Sequence, residues 1–168
     1  VTARVSGLSD AQAFHARRVI IKDVHNMMQH QAAIHYTQGP RRWEGIDHRC
    51  NHLDGTFPHH ADCSSTLTWL IWDAIARSYH VHDLVNHAAW KAGYTGTAQS
   101  GGKQVKHESN LLIGDGIFYG DQGGGISEHT AIYIGGGHVF SHGGESGPFI
   151  LPMDYRKDRR RELMRRYI

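Results

Sequence analysis

The period of the apolar residues changes once along the chain, near Leu111, and that change restricts the fold more than composition does. Before it, apolar residues recur at helical spacing. Ser9 can cap a helix whose first turn carries acidic Asp10. Phe14, Ile21, Val24 and Met28 then follow on one expected face, which predicts a helix over 10–31. Gly39 and Pro40 end any continuation, and 40–61 reads as a long loop. A second helix is predicted over 63–78, with Leu67, Leu70, Ile71, Ala74 and Ile75 as its core stripe. A short third helix is expected over 83–91, stopped by Gly93, and 93–102 reads as a Gly/Thr/Ser loop.

After Leu111 the pattern is that of strands. Ile117-Phe118-Tyr119 follows the turn Gly114-Asp115-Gly116, and Asp115 is expected to fix that turn. Thr130–Ile134 and His138–His142 flank Gly135-Gly136-Gly137, the signature of a hairpin. Phe149–Leu151 and Leu163–Ile168 complete the strand set. Helices first and strands afterwards predict an α+β fold, N-terminal helices packed on a central antiparallel β-sheet.

The 168 residues are enough for one well-packed domain spanning 1–168. Val1 in place of Met points to an excised domain or a processed chain. No apolar run approaches the roughly 20 residues of a membrane-spanning helix, and no signal-peptide pattern opens the chain. A net charge of +2 does not argue for nucleic acid. The basic residues cluster at 156–161 and 165–166, which reads as a solvated face or one that favours an acidic polymer such as a cell wall. The expected oligomeric state is a monomer.

Asp62-Cys63-Ser64-Ser65 carries the first chemical signal. Cys63 opens a predicted helix, where free backbone N–H groups and the positive end of the dipole favour a thiolate. A free cysteine is just as much a common buried residue, so the thiol needs a partner before it is read as a nucleophile. His129 opens the strand Thr130–Ile134, where a base would be held rigidly. A third polar group from the neighbouring hairpin strand, Ser141 or His142, could orient the far nitrogen of its ring. Counting along the hairpin favours Ser141. A β-bulge near the triple glycine would shift the register by one residue, and the expectation is His142, the better hydrogen-bond acceptor.

Three blocks in order resemble the NlpC-type papain-like cysteine peptidases of cell-wall (peptidoglycan) metabolism. Asp62-Cys63-Ser64-Ser65 is similar to their Asp-Cys-Ser-Gly, Gly114–Tyr119 to their Gly-Asp-Leu-Val-Phe-Phe, and Glu128–Gly135 to their Ser-His-Val-Gly-Ile-Tyr-Leu-Gly. Tyr36-Thr37-Gln38-Gly39 resembles the tyrosine-containing stretch that helps line the family's oxyanion site. Gly93–Thr97 and Ser141–Glu145 are similar to stretches of the peptidase domain of endolysins from phages of mycobacteria and their relatives. The sequence departs from the family pattern at Ser65, which stands for a glycine, and in the long loop from Trp43 to Asp62.

The resemblance implies a papain-like fold. It implies a peptidoglycan endopeptidase acting at the bacterial cell wall, cutting the stem peptide between D-isoglutamate and the next diamino acid through a thioester at Cys63. Cys63, His129 and the third residue are implied as catalytic, with the Cys63 backbone and Tyr36 meeting the oxyanion. Trp43, in the loop before the cysteine, is the candidate cleft wall, whereas Trp69 and Trp72 read as core or groove wall. For an endolysin, the setting is the host cytoplasm followed by release across the membrane, with a cell-wall-binding domain outside this chain.

Two other activities fit the same fold, an N-acetylmuramoyl-L-alanine amidase and a non-catalytic wall-binding module. Asn86, Lys103, Lys106 and the C-terminal arginines are the candidates to meet a substrate carboxylate. No cofactor is expected. The long loop nevertheless gathers Asp47, His48, Cys50, His52, Asp54, His59 and His60, donors of the type that a structural zinc takes, although their spacing matches no recurring zinc pattern. Two cysteines allow at most one disulfide, Cys50 to Cys63.

Overall fold

The structure is a computed structural model that describes residues 6–47, 57–120, 125–156 and 161–168. Helix α1 (Asp10–Gln29) begins with a reciprocal cap, in which Ser9 accepts from the Gln12 N–H and the Gln12 side chain accepts from the Ser9 N–H. Its buried stripe is Ala13, Ala16, Ile20, Asp23, Val24 and Met27. The expected apolar face is therefore rotated. Phe14 is 64% exposed and, with Ile21, lines an outer groove of about 820 Å³ against Leu112, Ile113 and Tyr133.

Helix α2 (Glu44–Asp47) is a single turn following a 3₁₀ turn over Pro40–Trp43. Strands β1 (His35–Tyr36) and β2 (His60–Ala61) pair in parallel and tie both ends of the long loop beside the nucleophile helix. That helix, α3 (Cys63–Ile71), is buried along its whole length. It runs on through a π-helical turn (Trp72–Ala76) into α4 (Arg77–Tyr79), so the second predicted helix is present with one widened turn.

Residues 83–91 form turns rather than a helix. Both Asp83 carboxylate oxygens accept backbone N–H groups, from Val85 and Asn86 on one and Trp90 on the other, and this competes with helical bonding. The helix of this region lies later, as α5 (Thr95–Ser100), in the stretch expected to be a loop. Asn86 explains part of the displacement. Its amide donates to Thr68 Oγ1 and accepts from Thr97 Oγ1, pinning α5 to α3.

Strands β3 (Lys103–Gln104), β4 (Gly116–Tyr119), β5 (His129–Gly135), β6 (His138–Ser141), β7 (Phe149–Pro152) and β8 (Arg161–Arg166) form one antiparallel sheet of order β3-β8-β4-β5-β6-β7. Asp115 fixes the turn before β4 as expected. It accepts from the Leu112 N–H and holds Arg166 through both oxygens. Phe118, Ile132 and Phe140 face the helices, against Ile20, Leu67, Leu70 and Ile71. Ile117, Tyr119, Ala131 and Val139 build a smaller core on the other face. The α+β expectation holds, with helices packed on one side of the sheet. No helix among the described residues is long and apolar enough to cross a membrane.

One polar contact interrupts the packing of α1 on the π-helical turn. Asp23 and Asp73, both buried, share a hydrogen bond, and Arg77 donates to Asp73 at 3.0 Å. Burial pushes the Asp23 carboxyl up to about 7, against the partial relief of Asp73, Lys22 and Arg77. A raised carboxyl in the folded state gives stability that is complete below the unfolded value near 4 and lost as pH rises through about 7. Asp23→Asn is therefore expected to flatten the decline in stability between pH 4 and 8, an effect of about 2–4 kcal/mol read by urea denaturation across that range.

Candidate active site

Asp62 sets the position of Cys63. Its Oδ1 accepts from the Ser65 N–H at 2.8 Å and the Ser64 hydroxyl at 3.0 Å, and the Asp62 N–H donates to Ser65 Oγ at 2.9 Å. This is a complete capping box, and Ser65 supplies half of it where the family pattern has glycine. The other Asp62 oxygen takes Arg42 at 2.7 Å, and Arg42 also donates to the Gly93 carbonyl. Asp62 is thus a structural anchor.

Cys63 is a free, buried thiol and does not form the disulfide that two cysteines allowed. Its sulfur lies 3.7 Å from Thr95 Oγ1 and faces backbone N–H groups of Ser64 and Thr130. Burial, with the Asp62 charge behind it, pushes the thiol up in spite of these donors. Burial also pulls His129 down to about 4, helped by the charge of Arg156. Both shifts favour the neutral thiol and imidazole over the ion pair. Alkylation of Cys63 by iodoacetamide is expected to keep rising about tenfold per pH unit to pH 9 and above. A plateau near neutrality would show a preformed thiolate instead.

His129 donates or accepts through Nε2 to Ser141 Oγ at 2.7 Å, and Ser141 contacts the Tyr155 hydroxyl at 3.1 Å. That leaves Nδ1 as the nitrogen available to Cys63. The ring stacks on Tyr119, its partner across β4 and β5, with centroids 6.1 Å apart. Gly143 also lies against the ring, where a side chain would begin 3.1 Å from Cε1.

Ser141, not the expected His142, is the residue that meets His129. The bulge foreseen near the triple glycine exists, but it acts the other way. Gly135 pairs with His138 and Tyr133 with Val139, so Ile134 is the extra residue. Continued from Gly135–His138 without that bulge, the ladder would turn His142 to the face of His129; the bulge gives that face to Ser141. His142 points to the helix side and is fully buried, edge-on to Tyr36 at 5.6 Å, with no well-formed hydrogen bond to either ring nitrogen among the described residues. Ser141→Ala is expected to lower turnover at least tenfold, and His142→Leu less than threefold, in the same peptide-cleavage assay. Equal losses would mean that His142 takes part.

Tyr36, Cys63 and His129 line one cavity of about 290 Å³, together with Gln38, Arg42, Asp62, Tyr94, Thr95, Ile126, Glu128, Gly143 and Arg156. The larger groove beside α1 holds none of these groups. Burial and the neighbouring Cys63 and Asp62 push the Tyr36 hydroxyl up, so it remains a donor. Arg156 is one of the C-terminal arginines expected to meet a carboxylate, whereas Thr95 was not expected at the site. Thr95 sits on the unrecognised α5, whose one local signal is Thr97 Oγ1 accepting from the Tyr94 N–H.

Trp43 does not line the cavity. The 3₁₀ turn buries it in the core and sends its neighbour Arg42 to Asp62 instead. Trp69 and Trp72 are core residues. His48, Cys50, His52 and Asp54 lie outside the described residues, as does the Asp47 side chain. His59 stacks on Phe57, and His60 contacts Glu44 at 3.2 Å. Among the described residues no group of three or more His, Cys, Asp or Glu could hold a metal. Asn86 is buried in its own hydrogen bonds, and Lys103 and Lys106 are exposed away from the cavity.

The sequence matches no family model and no curated protein. Solved structures do match. The P60 domain of Mycobacterium avium paratuberculosis antigen MAP1272c superimposes with a TM-score of 0.58 at 18% identity, over 94% of this chain and 97% of that one. The NlpC/p60 domain of the peptidoglycan hydrolase SagA gives 0.54 at 17% identity, over 89% and 97%. The fold is that of an NlpC/P60 domain. NlpC2 from Trichomonas vaginalis also matches, with a TM-score of 0.55 at 13% identity. That match covers 99% of this chain and 50% of the other, so this chain spans about half of that relative.

Proposed function

We propose that the chain is a peptidoglycan hydrolase, a cysteine endopeptidase that cuts the stem peptide between D-isoglutamate and the following diamino acid. The observation that carries this reading is the convergence of Cys63, on a capped helix start, and His129, held by Ser141, on one cavity. The NlpC/P60 fold supports the substrate class, since one structure that shares it is described as a peptidoglycan hydrolase. The site of action in this reading is the bacterial cell wall, and the endolysin resemblance of Gly93–Thr97 and Ser141–Glu145 supports a role in lysis.

In this reading His129 takes the Cys63 proton as the sulfur attacks the peptide carbonyl, which makes the resting neutral pair competent. The oxyanion is met by the Cys63 backbone N–H at the helix start and by the Tyr36 hydroxyl. His129 returns the proton to the leaving amine, leaving a thioester between Cys63 and the acyl fragment. Water, deprotonated by His129, then adds to the thioester and releases the acid and the thiol.

Digestion of defined muropeptides by wild type and Cys63→Ala tests the reading. The expected result is cleavage by wild type only, with the new amine on the diamino acid. A new amine on L-alanine would make the enzyme an amidase, and no cleavage by wild type would overturn the hydrolase reading.

A further inference from the structure

The cavity that holds Cys63 is not the only one that His129 borders. His129 also borders a second cavity of about 390 Å³, lined by Ser141, Gly144, Phe149, Leu151, Tyr155 and Arg156. Its walls are mainly apolar, and Phe149 is 40% exposed on the edge strand β7. Arg156 borders both cavities. We propose that this second cavity, headed by Arg156, is a subsite for a free carboxylate carried by the leaving fragment of the substrate. The inference rests on the peptidase reading above.

The position follows from the chemistry. His129 must reach the leaving amine to protonate it, so the fragment attached to that amine passes the histidine and continues beyond it. The second cavity shares His129, Gly143 and Arg156 with the first, so a fragment that passes the histidine can reach it. What it offers there is a cation on an aromatic platform. The Arg156 guanidinium stands over the Tyr119 ring at 6.0 Å and reaches the Tyr155 hydroxyl.

Among the described residues, the other arginines near the chemistry are held by short bonds. Arg42 is bonded to Asp62 at 2.7 Å, and Arg166 to Asp115 at 2.7 Å. Arg165 donates to the backbone carbonyls of Ser100, Gly101 and Gly102. Arg156 differs. Its side chain is 20% exposed, and its ion pair with Glu128, at 3.8 Å, is longer than the pairs of Arg42 and Arg166, so the guanidinium is held more loosely than theirs. A guanidinium so placed accepts a carboxylate through two parallel hydrogen bonds, a geometry that a carboxamide cannot reproduce. Occupancy would have a second effect. Neutralising Arg156 removes one of the charges that hold His129 low, and so strengthens the base when the correct substrate is bound.

The test uses Cys63→Ala, which holds substrate uncut, and two tripeptides. Both are L-Ala-γ-D-Glu-meso-diaminopimelate, one with the carboxylates of the diamino residue free and one with them as carboxamides. Calorimetric titration of Cys63→Ala is expected to show the acid binding about tenfold or more tightly than the amide. In Cys63→Ala/Arg156→Gln the two affinities converge, and Cys63→Ala/Arg156→Lys keeps part of the preference. Equal affinities in Cys63→Ala, or a preference that survives Arg156→Gln in a variant of unchanged melting temperature, would overturn the subsite. If wild type cleaves neither peptide while the preference and its loss are observed, the hydrolase reading fails and the subsite stands.

Discussion

Replacing His129 with alanine is expected to lower kcat/KM for stem-peptide cleavage by about three orders of magnitude, with no loss of fold. The size follows from the resting charge state. Burial holds the Cys63 thiol up and His129 down, which favours the neutral thiol and leaves His129 as the base that must take its proton. Without His129 there is no base at that position, and the thiol attacks as a thiol. Cys63→Ala removes the nucleophile and takes activity below detection. The double variant is expected to be no worse than Cys63→Ala alone, because the two residues act as one unit. The check is single-turnover kinetics on a defined muropeptide with all three variants. An additive loss in the double variant would separate the roles of the two residues.

The second large effect concerns Asp62, on stability rather than chemistry. Asp62→Ala is expected to cost about 3–5 kcal/mol, a fall in melting temperature of about 10 °C or more. The carboxylate caps α3 through Ser65 and Ser64 and is the ion partner of a largely buried Arg42. Its removal uncaps the helix and leaves that guanidinium without its charge partner. Asp62→Asn separates the two roles. It keeps an oxygen for the Ser65 N–H and removes the charge that pushes the Cys63 thiol up. The asparagine variant is therefore expected to be less destabilised than the alanine variant and to alkylate faster at Cys63 at pH 8. Slower alkylation in Asp62→Asn would contradict the electrostatic part of this account.

Strong local signals made much of this molecule legible in its sequence. Ser9 and Asp62 are sound caps, and the helices they start are where they were expected. The strands around Gly135-Gly136-Gly137 follow from their period and turn. Cys63, His129 and Tyr36 converge on one cavity as the resemblance implied.

What was missed depended on contacts between distant parts of the chain. The buried side of α1 is set by small residues, Ala13 and Ala16, that allow close approach, and an apolar count puts the exposed Phe14 there instead. Asp83 diverts 83–91 from helix by binding its own backbone, and Asn86 then fastens the displaced α5 to α3. Trp43 turns inward because Arg42, beside it, is claimed by Asp62. The choice between Ser141 and His142 hung on one extra residue, Ile134. Its bulge was foreseen, but which strand carries the insertion is set by the pairing and not by the glycines.

The most direct test of the central claim is the intact mass of the protein, acid-quenched milliseconds after mixing with L-Ala-γ-D-Glu-meso-diaminopimelate. The expected result is a transient increase equal to the L-Ala-γ-D-Glu acyl group, localised to Cys63 by peptide mapping and absent from Cys63→Ala. Release of diaminopimelate by Cys63→Ala at the wild-type rate, with no mass increase on the wild type, would contradict it.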